Sequence, residues 1–402
     1  MTLPLEGYKV LDLTFWVFAP STAVVLGDWG ADVIHVEPVE GGDPMRGLMS
    51  AGVLGFAPID YPFDLDNRNK RSLAIDLKKP KGRDILYKLV ETADVFLTNY
   101  RLTALKKLGI TYEEISQINP KIIYAHASGY GEQGPEAERG GYDYGAYWAR
   151  SGLMSSLGEP DDPPPPQRAA LGDQISGLVF AGGIAVALLA RERFGIGQKV
   201  ADSLLANALW QGAFQAQAVL SGDPNVSRVS RKTAGNPLVN SYRCRDGKWL
   251  QLICLQPDRY WPGLCRAIDR PDLEHDPRFE TMEVRNRNNV EMIRILDEVL
   301  ATRPRDEWGR LFDEYGVLWA PVQDYYEVVK DPMVVANNYI VEVDHPRWGK
   351  TKWLMSPIQF SQTPASIRRV APTLGQHNEE ILLELGYGWE EIVQFKDEGV
   401  IL

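Results

Sequence analysis

The sequence predicts an α/β protein of two domains, the larger built on a Rossmann-like open parallel sheet and the smaller of α+β type. Strand-like and helical segments alternate through the first part of the chain. The 402 residues are too many for one ordinary hydrophobic core. Near 221–240, loop signals interrupt the alternation. These three observations separate a large α/β part from a smaller block.

The first elements form a strand–helix–strand unit. Residues 9–14 are apolar and strand-like, a helix follows through 21–28, and 31–38 is a second strand. Strand–helix–strand at this spacing implies parallel pairing with a right-handed crossover. The pattern therefore starts a parallel sheet.

The alternation continues with a helix over 80–92, introduced by a proline, and with strands at 95–98 and 121–127. In open sheets of this kind, ligands bind beyond the carboxyl ends of the strands. The segments at those ends are 14–19, 37–46, 99–101 and 128–131.

Two segments follow that differ in character. Residues 158–167 carry Pro163 to Pro166 and are predicted to form a loop. The most apolar run, 177–190, is shorter than the roughly 20 residues that span a bilayer. We therefore expect a buried helix there and no membrane partner.

The smaller block begins with a predicted hairpin. Its strands are 241–245 and 248–252, and Asp246-Gly247 makes the turn. Helices are predicted at 285–301 and 305–315. This mixture indicates an α+β domain.

Composition narrows the class of function. Lys and Arg number 43 against 54 Asp and Glu, and the resulting net charge of −11 argues against a nucleic-acid or anionic-membrane partner. The start of the sequence lacks the basic and apolar stretches of a signal peptide, so we expect a cytoplasmic protein. The three cysteines read as reduced thiols, and the five histidines show no metal-ligand spacing, so no metal is expected.

Asp173 is the strongest catalytic candidate. It follows Leu171-Gly172, where the proline-rich loop gives way to the apolar helix. A carboxylate at a helix start receives backbone N–H groups and the positive end of the helix dipole. We therefore expect it to be ionised and able to act as a nucleophile. The alternative is a helix N-cap with no chemistry.

The sequence resembles family III CoA-transferases of the CaiB/BaiF type, which include formyl-CoA, crotonobetaine/carnitine and bile-acid CoA-transferases. Their fold is shared with α-methylacyl-CoA racemase. The segments that carry the resemblance are 11–14, 19–20, 26–34, 36–38, 42–46, 69–72, 99–101, 108–110, 129–131, 141–144, 171–173, 276–279 and 372–377. Together they cover essentially the whole chain in order.

The resemblance implies domain boundaries that residue patterns alone do not give. The large domain would be built from both chain ends, with 1–205 as its first part and 330–402 as its last. Linkers and the small domain would occupy 206–329. Two such chains would interlock as an obligate dimer, either a homodimer or a heteromer with a related chain.

The resemblance also implies the chemistry. Asp173 would accept CoA from an acyl-CoA donor through a mixed anhydride and an aspartyl-CoA thioester, and would pass it to a carboxylic acid. CoA is then a substrate, and no prosthetic group is expected. Asp143 would orient Asp173 or the acyl group, with a cap of the following helix as its alternative. Succinyl-CoA is the donor suggested by family habit.

By position, the CoA contacts implied are Trp16, Ile75, Lys78, Asn99, Tyr100, Arg101, Lys107, Leu108 and Arg139. The acyl pocket is expected to involve Val17, Phe18 and Tyr142, and Trp16 with Phe18 to lie over its mouth. Other aromatic residues cluster near these loops, which predicts either ordinary packing or a pocket for a bulky or aromatic acid.

Three departures from the family pattern stand out. Val17 replaces a family glutamine, and Lys107 replaces the more usual arginine, which keeps the charge without the bidentate fork. Leu255-Gln256-Pro257-Asp258 occupies the place of a glycine-rich loop that shields the intermediate in some members.

Three other functions compete. A 2-methylacyl-CoA racemase needs two acid/base groups at the α-carbon, but Tyr142 stands where the family's racemases place a histidine, and His126 lies in a strand. A catalytically silent subunit of a hetero-oligomer would not need Asp173. A nucleotide-binding protein would be expected to carry a glycine-rich phosphate loop, and none follows the first strand.

Overall fold

The computed structural model describes residues 2–48 and 59–402. The chain divides into two compact units. The first comprises Met1–Met154, Pro166–Asp223 and Asn338–Leu402, and the second comprises Ser155–Pro165 and Pro224–Asn337. Their limits differ from the predicted boundaries, because 206–223 belong to the first unit, and 155–165 and 330–337 belong to the second.

The strands are, in chain order, β1 (Lys9–Leu13), β2 (Asp32–Glu37), β3 (Lys70–Ala74), β4 (Val95–Thr98), β5 (Ile123–Ser128), β6 (Gln198–Ser203), β7 (Ser241–Arg243), β8 (Trp249–Leu252), β9 (Trp319–Val322), β10 (Ile340–His345) and β11 (Gly349–Leu354).

The α-helices are α1 (Phe18–Asp28), α2 (Tyr61–Asn67), α3 (Pro80–Thr92), α4 (Leu102–Leu108), α5 (Tyr112–Ile118), α6 (Leu153–Ser156), α7 (Leu171–Phe194), α8 (Leu204–Gln211), α9 (Ala213–Leu220), α10 (Pro257–Ala267), α11 (Met282–Arg287), α12 (Asn289–Leu300), α13 (Arg305–Glu314), α14 (Tyr325–Val328), α15 (Pro332–Ala336), α16 (Asn378–Glu384) and α17 (Trp389–Asp397). A π-helical turn spans Asp143–Ala149.

The first unit contains the predicted open sheet. Six parallel strands lie in the order β3-β2-β1-β4-β5-β6, so the strand order reverses between β1 and β4. A ligand in such a sheet binds in the crevice outside the carboxyl ends of the two strands at the reversal. The fold therefore places a binding site after Leu13 and Thr98.

Both faces of this sheet are covered. Along β4, Phe96 packs into the core beneath α3 and α5, while Val95 and Leu97 pack into the core beneath α1 and α7. This alternation is the two-residue period of a strand. Parallel sheets need such double coverage because crossover helices lie on each face. Helices α16 and α17, from the end of the chain, complete the first of these cores.

Helix α7 is longer than predicted. Its 24 residues include the apolar run, but only one face is buried, and Val186 and Leu189 on the other face are 66% and 57% exposed. By length and composition it is the one helix among the described residues that could cross a membrane. That is weak evidence, because core helices of globular proteins pass the same test.

Glycine allows α7 to pack closely on α1. A Cβ on Gly177 would lie 1.9 Å from the Oγ of Ser21 and 3.0 Å from the carbonyl oxygen of Phe18. This contact lies one helical turn after Asp173, so it fixes the start of α7 beside the start of α1.

The second unit has the predicted α+β character. Strands β7, β8 and β9 form an antiparallel sheet, and the Asp246-Gly247 turn joins the first two. Helices α10, α12 and α13 cover it around Trp261 and Trp308. The predicted helix over 285–301 is two helices, because Asn288 ends α11 and precedes α12. The three cysteines are unpaired and buried.

Candidate active site

A cleft opens at the reversal of strand order in the first unit, with about 230 Å³ of space. Its walls come from the segments that follow β1, β4 and β5 and from the turn before the π-helix. The residues lining it are Phe15, Trp16, Val17, Phe18, Asn99, Tyr100, Arg101, Leu102, His126, Ala127, Ser128, Gly129, Gly131, Glu132, Ala137, Arg139, Gly140, Gly141, Tyr142, Asp173 and Leu204.

Asn99 ties two walls of the cleft together. Its side-chain oxygen accepts a hydrogen bond from the backbone N–H of Phe15 at 3.1 Å, and its side-chain nitrogen donates to the Phe15 carbonyl at 2.8 Å. Phe15 comes two residues after β1 and Asn99 one residue after β4. The two bonds fix the separation of the loops across the point where the strand order reverses.

Trp16 adopts a strained backbone at the mouth of the cleft. Its φ of 71° lies in the left-handed region, which is unusual for a bulky residue and costs about 1–3 kcal/mol. Its ring is 36% exposed and meets the ring of Tyr142 edge to face, with centroids 5.6 Å apart. Such strain persists only where surrounding contacts impose it.

Asp173 is the third residue of α7, after the N-cap Ala170. It is therefore not the N-cap residue that the alternative prediction required. Gly172 before it packs against the ring of Tyr147, since a Cβ there would lie 2.3 Å from the ring. Within the described residues the carboxyl of Asp173 accepts no hydrogen bond, and it faces the cleft.

Two further carboxyl groups stand near Asp173. Asp143, at the start of the π-helical turn, accepts a hydrogen bond from the backbone N–H of Gly172 at 3.3 Å. Asp66 of α2 is buried and accepts one from the side chain of Gln174 at 2.8 Å. The residues on either side of Asp173 are thus each held by another carboxyl group.

These surroundings change the charge expected of Asp173. Burial, together with the negative charges of Asp143 and Asp66, raises the pKa of its carboxyl to about 8. The prediction that the helix start keeps it ionised is therefore wrong. The dipole of a helix end contributes at most about 2 kcal/mol, and burial without hydrogen-bond donors outweighs it here.

A buried histidine lines the cleft, although the sequence offered it only as a poor substitute for a racemase base. His126, in β5, contacts the carboxylate of Glu132 through Nδ1, and its Nε2 lies 2.9 Å from the carbonyl oxygen of Tyr100. Lys199 of β6 binds the same carboxylate at 2.7 Å. Although burial raises the pKa of Glu132, the hydrogen bonds from His126 and Lys199 bring it down to about 2. This chain of contacts holds the backbone after β4.

The predicted CoA contacts divide into two groups. The structure brings Trp16, Asn99, Tyr100, Arg101 and Arg139 into the cleft. The remaining four lie outside it, and they are Ile75, Lys78, Lys107 and Leu108.

Those four have different surroundings. Ile75 is buried and pairs with Ile401, and Leu108 packs on the core under α3. Lys78 and Lys107 are exposed. Arg101 is exposed at the N-cap of α4, against Gly140, and Arg139 pairs with Glu136 at 2.7 Å.

The three predicted pocket residues all line the cleft, but their side chains differ in how far they are exposed. Tyr142 is 60% exposed and Val17 is half-buried. Phe18 is 7% exposed and its ring packs toward Phe180 of α7. The prediction that Phe18 lies over the mouth is therefore wrong, because α1 begins at this residue and turns its side chain into the core.

Fold and site together define an α/β protein with a cleft where the strand order reverses, lined by a carboxyl group at a helix start. The chain belongs to CoA-transferase family III, whose sequence model matches residues 5–378. It is thus an enzyme of the CoA-transferase type, acting on acyl-CoA thioesters and carboxylic acids.

Characterised relatives align over nearly the whole chain. The (R)-2-hydroxy-4-methylpentanoate CoA-transferase of Clostridioides difficile is 33% identical over 99% of each chain. The cinnamoyl-CoA:phenyllactate CoA-transferase of Clostridium sporogenes is 31% identical, over 99% of this chain and 97% of its own. The human succinyl-CoA:glutarate CoA-transferase is 32% identical, over 99% and 90%.

Solved structures share the fold. A CaiB/BaiF family protein from Brucella suis superposes with a TM-score of 0.85 and 30% identity, covering 96% of this chain and all of its own. Rv3272 from Mycobacterium tuberculosis gives 0.83 and 29%, covering 94% and 99%.

Proposed function

We propose that this enzyme transfers CoA from an acyl-CoA donor to a bulky or aromatic carboxylic acid, with Asp173 as the covalent nucleophile. The observation that carries the proposal is the position of Asp173. Its carboxyl faces the cleft where the strand order reverses and accepts no hydrogen bond from the described residues. Its oxygens are therefore free to attack a thioester bound in the cleft.

The first half of the reaction loads CoA onto the enzyme. The ionised Asp173 attacks the thioester carbonyl of the donor, a C–O bond forms, and the C–S bond breaks with its electron pair leaving on the CoA thiolate. The thiolate then attacks the aspartyl carbonyl of the mixed anhydride. The donor acid leaves as a carboxylate, and an aspartyl-CoA thioester remains.

The second half reverses these steps with a different acid. The acceptor carboxylate attacks the aspartyl thioester, which expels the thiolate and forms a second anhydride. The thiolate attacks the acceptor carbonyl, and Asp173 leaves as a carboxylate. The bonds broken and formed are of the same kinds, so the exchange needs no ATP.

Asp143 is proposed to position the nucleophile. Its bond to the N–H of Gly172 restrains the first turn of α7, and its negative charge acts on the pKa of Asp173. Arg101 and Arg139 are proposed to bind CoA phosphates, since both line the cleft and guanidinium groups bind phosphate well. Asn99 is proposed to fix the width of the cleft through its two hydrogen bonds to the backbone of Phe15.

The four predicted CoA contacts outside the cleft are proposed to meet parts of CoA that extend beyond it. Lys78 and Lys107 are exposed and could meet the far end of a long ligand such as CoA. The side chains of Ile75 and Leu108 pack in the core, so only their backbones are available for such a contact.

The substrate class follows from the aromatic mouth. Trp16 and Tyr142 form an exposed edge-to-face pair in the cleft that Asp173 also lines, and flat apolar groups pack well on such rings. The relatives named for 4-methylpentanoate and phenyllactate derivatives support an apolar acid. The relatives named for succinyl-CoA support it as one donor to be tried.

A dimer is also proposed. Trp210, Phe214 and Leu220, on α8 and α9, are each at least 80% exposed in the single chain. Large apolar side chains clustered at a surface indicate a contact with another protein. A second copy of this chain, or a related chain, would cover them, and sedimentation of the purified protein measures which is present.

The experiment that tests the function is a matrix of donors against acceptors. Succinyl-CoA, cinnamoyl-CoA and acetyl-CoA are combined with phenyllactate, 2-hydroxy-4-methylpentanoate and glutarate, and products are identified by mass spectrometry. We expect exchange with at least one aromatic or branched acid and none with Asp173→Ala. Undiminished exchange in Asp173→Ala would remove Asp173 from the mechanism.

The racemase alternative is tested in the same preparation. A racemase exchanges the α-proton of a 2-methylacyl-CoA, and we expect no deuterium uptake from deuterated water. The reason is that Tyr142 stands where an imidazole base would be needed. Rapid incorporation at the α-carbon would replace the transferase proposal by the racemase.

A further inference from the structure

The strained residue at the cleft mouth is held by a buried acid outside the cleft. The backbone N–H of Trp16 donates to Oδ1 of Asp43 at 3.3 Å, and the N–H of Met45 donates to the same oxygen at 2.8 Å. Asp43 is fully buried and does not line the cleft. Among the described residues, its hydrogen bond to a residue of the cleft is the one to the backbone of Trp16.

Asp43 is itself fixed by a second carboxylate. Its own backbone N–H donates to Glu37 at 3.0 Å, and Glu37 is held by Arg46 through two hydrogen bonds of 2.6 and 2.7 Å. The hydroxyl of Ser72 donates to Glu37 at 2.8 Å. Charge-assisted bonds of this kind are strong and directional, so Glu37 is well placed to hold the backbone of Asp43.

His35 lies on the other side of Asp43. Its Nε2 is 3.8 Å from Oδ2 of Asp43, and neither atom has a hydrogen-bond partner in the described part of the chain. The carboxylate is therefore aimed by the bonds to Oδ1. Those bonds are the ones that reach Met45 and Trp16.

The residue so held carries an aromatic ring at the cleft mouth. With φ at 71°, residue 16 would be unstrained as glycine, yet the chain has tryptophan there. The left-handed backbone directs the ring onto Tyr142, which precedes Asp143 in the chain and lines the same cleft as Asp173. A relaxed backbone would point the ring elsewhere.

We infer that Asp43 is a positioning residue for acyl-group selection, which acts by holding Trp16 in its left-handed conformation against Tyr142. This inference rests on the proposed function, in which the acyl group of the donor lies beside Asp173. Loss of the anchor releases the ring and lowers the preference for bulky acyl groups, while Asp173, Arg101 and Arg139 stay in place.

The test is a double-mutant cycle on the first half-reaction. Enzyme in excess is mixed with cinnamoyl-CoA or with acetyl-CoA, and release of the free acid is timed in a single turnover. Asp43→Ala should lower the cinnamoyl-to-acetyl rate ratio about tenfold, and Trp16→Gly should lower it similarly. The double variant should be no lower than Trp16→Gly alone, because contacting residues that act as one unit are not additive.

Two further variants separate positioning from general damage. Asp43→Asn keeps an oxygen that accepts the Trp16 N–H and should retain most of the ratio. Asp28→Asn also removes a buried carboxylate, one bonded to Arg68 and Asn69 away from the cleft, and should leave the ratio unchanged while lowering the melting temperature. If Asp43→Ala does not fold, Asp43→Ser, which keeps a polar group in the buried site, carries the same expectation.

The outcomes are distinct. An equal loss on both donors in Asp43→Ala, or additive losses in the double variant, would overturn the positioning role while leaving the function intact. If wild-type enzyme releases neither acid, the proposed function fails first, and the inference fails with it. The positioning role is supported if Asp43→Ala lowers the cinnamoyl-to-acetyl rate ratio in the protein that has Trp16 and does not lower it further in Trp16→Gly.

Discussion

In the proposed mechanism, the charge of one carboxyl group decides when the reaction can start. Asp173 has a pKa raised to about 8, first by burial and then by Asp143 and Asp66. At pH 7 roughly one molecule in ten would carry the ionised nucleophile. The rate of the first chemical step should therefore depend on pH across the physiological range.

We predict that kcat/KM rises with pH and levels off above about 8, because the deprotonated form of Asp173 is the reactive one and kcat/KM reports the free enzyme. Asp143→Asn keeps an oxygen for the Gly172 N–H but removes a negative charge. The rising part of the kcat/KM profile of this variant should therefore lie at lower pH than in the wild-type protein. The measurement is the pH dependence of initial rates in both proteins. A wild-type profile already flat from pH 5 upward would contradict the raised pKa.

A second prediction concerns the aromatic mouth. Trp16→Ala should leave the affinity for CoA within a few-fold, since Arg101 and Arg139 are the cleft cations and neither is changed. The preference for bulky over small acceptor acids should fall about tenfold, which corresponds to about 1.4 kcal/mol. Competition assays with paired acceptors and a CoA binding titration measure the two effects. Collapse of CoA affinity with unchanged acid preference would assign Trp16 to the CoA site.

The sequence indicated Asp173 and Asp143 but not the charge of the nucleophile. A Gly-Asp at the start of an apolar helix is visible in a sequence, and so is the dipole argument for an ionised carboxylate. Asp66 approaches from α2, through a bond to Gln174 that joins residues 108 positions apart. A pattern along the chain does not reveal a neighbour at that separation.

At the scale of elements, α7 carries Asp173, the proposed nucleophile, and packs closely against α1. Gly177 permits the close approach, because a Cβ there would overlap Ser21. We predict that Gly177→Ala lowers stability by about 1–3 kcal/mol, as overpacking in a core commonly does. It should also slow catalysis by shifting the α7 start. Urea denaturation and kcat measure these effects.

Ser21→Ala offers a matched partner for that variant. Combined with Gly177→Ala, it removes the Oγ at 1.9 Å but leaves the Phe18 carbonyl at 3.0 Å. Partial recovery of stability is therefore expected. No recovery at all would show that the Ser21 contact is not what the added methyl group meets.

The strands show why part of the sheet was missed in the sequence. β1, β2 and β4 are apolar and were predicted, whereas β3 reads Lys-Arg-Ser-Leu-Ala. Its Lys70 is buried by pairing with Asp12 at 2.8 Å, and Arg71 pairs with Asp32. Buried charges of this kind need partners from other strands. Periodicity alone does not identify such a strand.

For the whole molecule, buried carboxyls should make stability depend on pH. Burial raises the pKa of Asp66 to about 7, so between about pH 4 and 7 the folded state holds a proton that the unfolded state has lost. That contribution is complete below about pH 4 and is lost as pH rises through 7. It amounts to at most about 1.4 kcal/mol per pH unit.

We therefore predict that the free energy of unfolding falls between pH 5 and 7 and that Asp66→Asn flattens this fall. Asp12 and Glu37 do not mask it, since both have pKa values lowered to about 2 and are ionised in folded and unfolded states across this window. Urea titrations at several pH values give the slopes. Parallel slopes in the two proteins would contradict the raised pKa of Asp66.

The most direct test of the central claim is to trap CoA on the enzyme. Wild-type protein is incubated with cinnamoyl-CoA or succinyl-CoA without acceptor, digested, and its peptides are examined by mass spectrometry. We expect CoA in thioester linkage on the peptide that contains Asp173, removable by hydroxylamine and absent from Asp173→Ala. CoA transfer to an added acceptor with no adduct on that peptide at any time point would contradict the covalent mechanism.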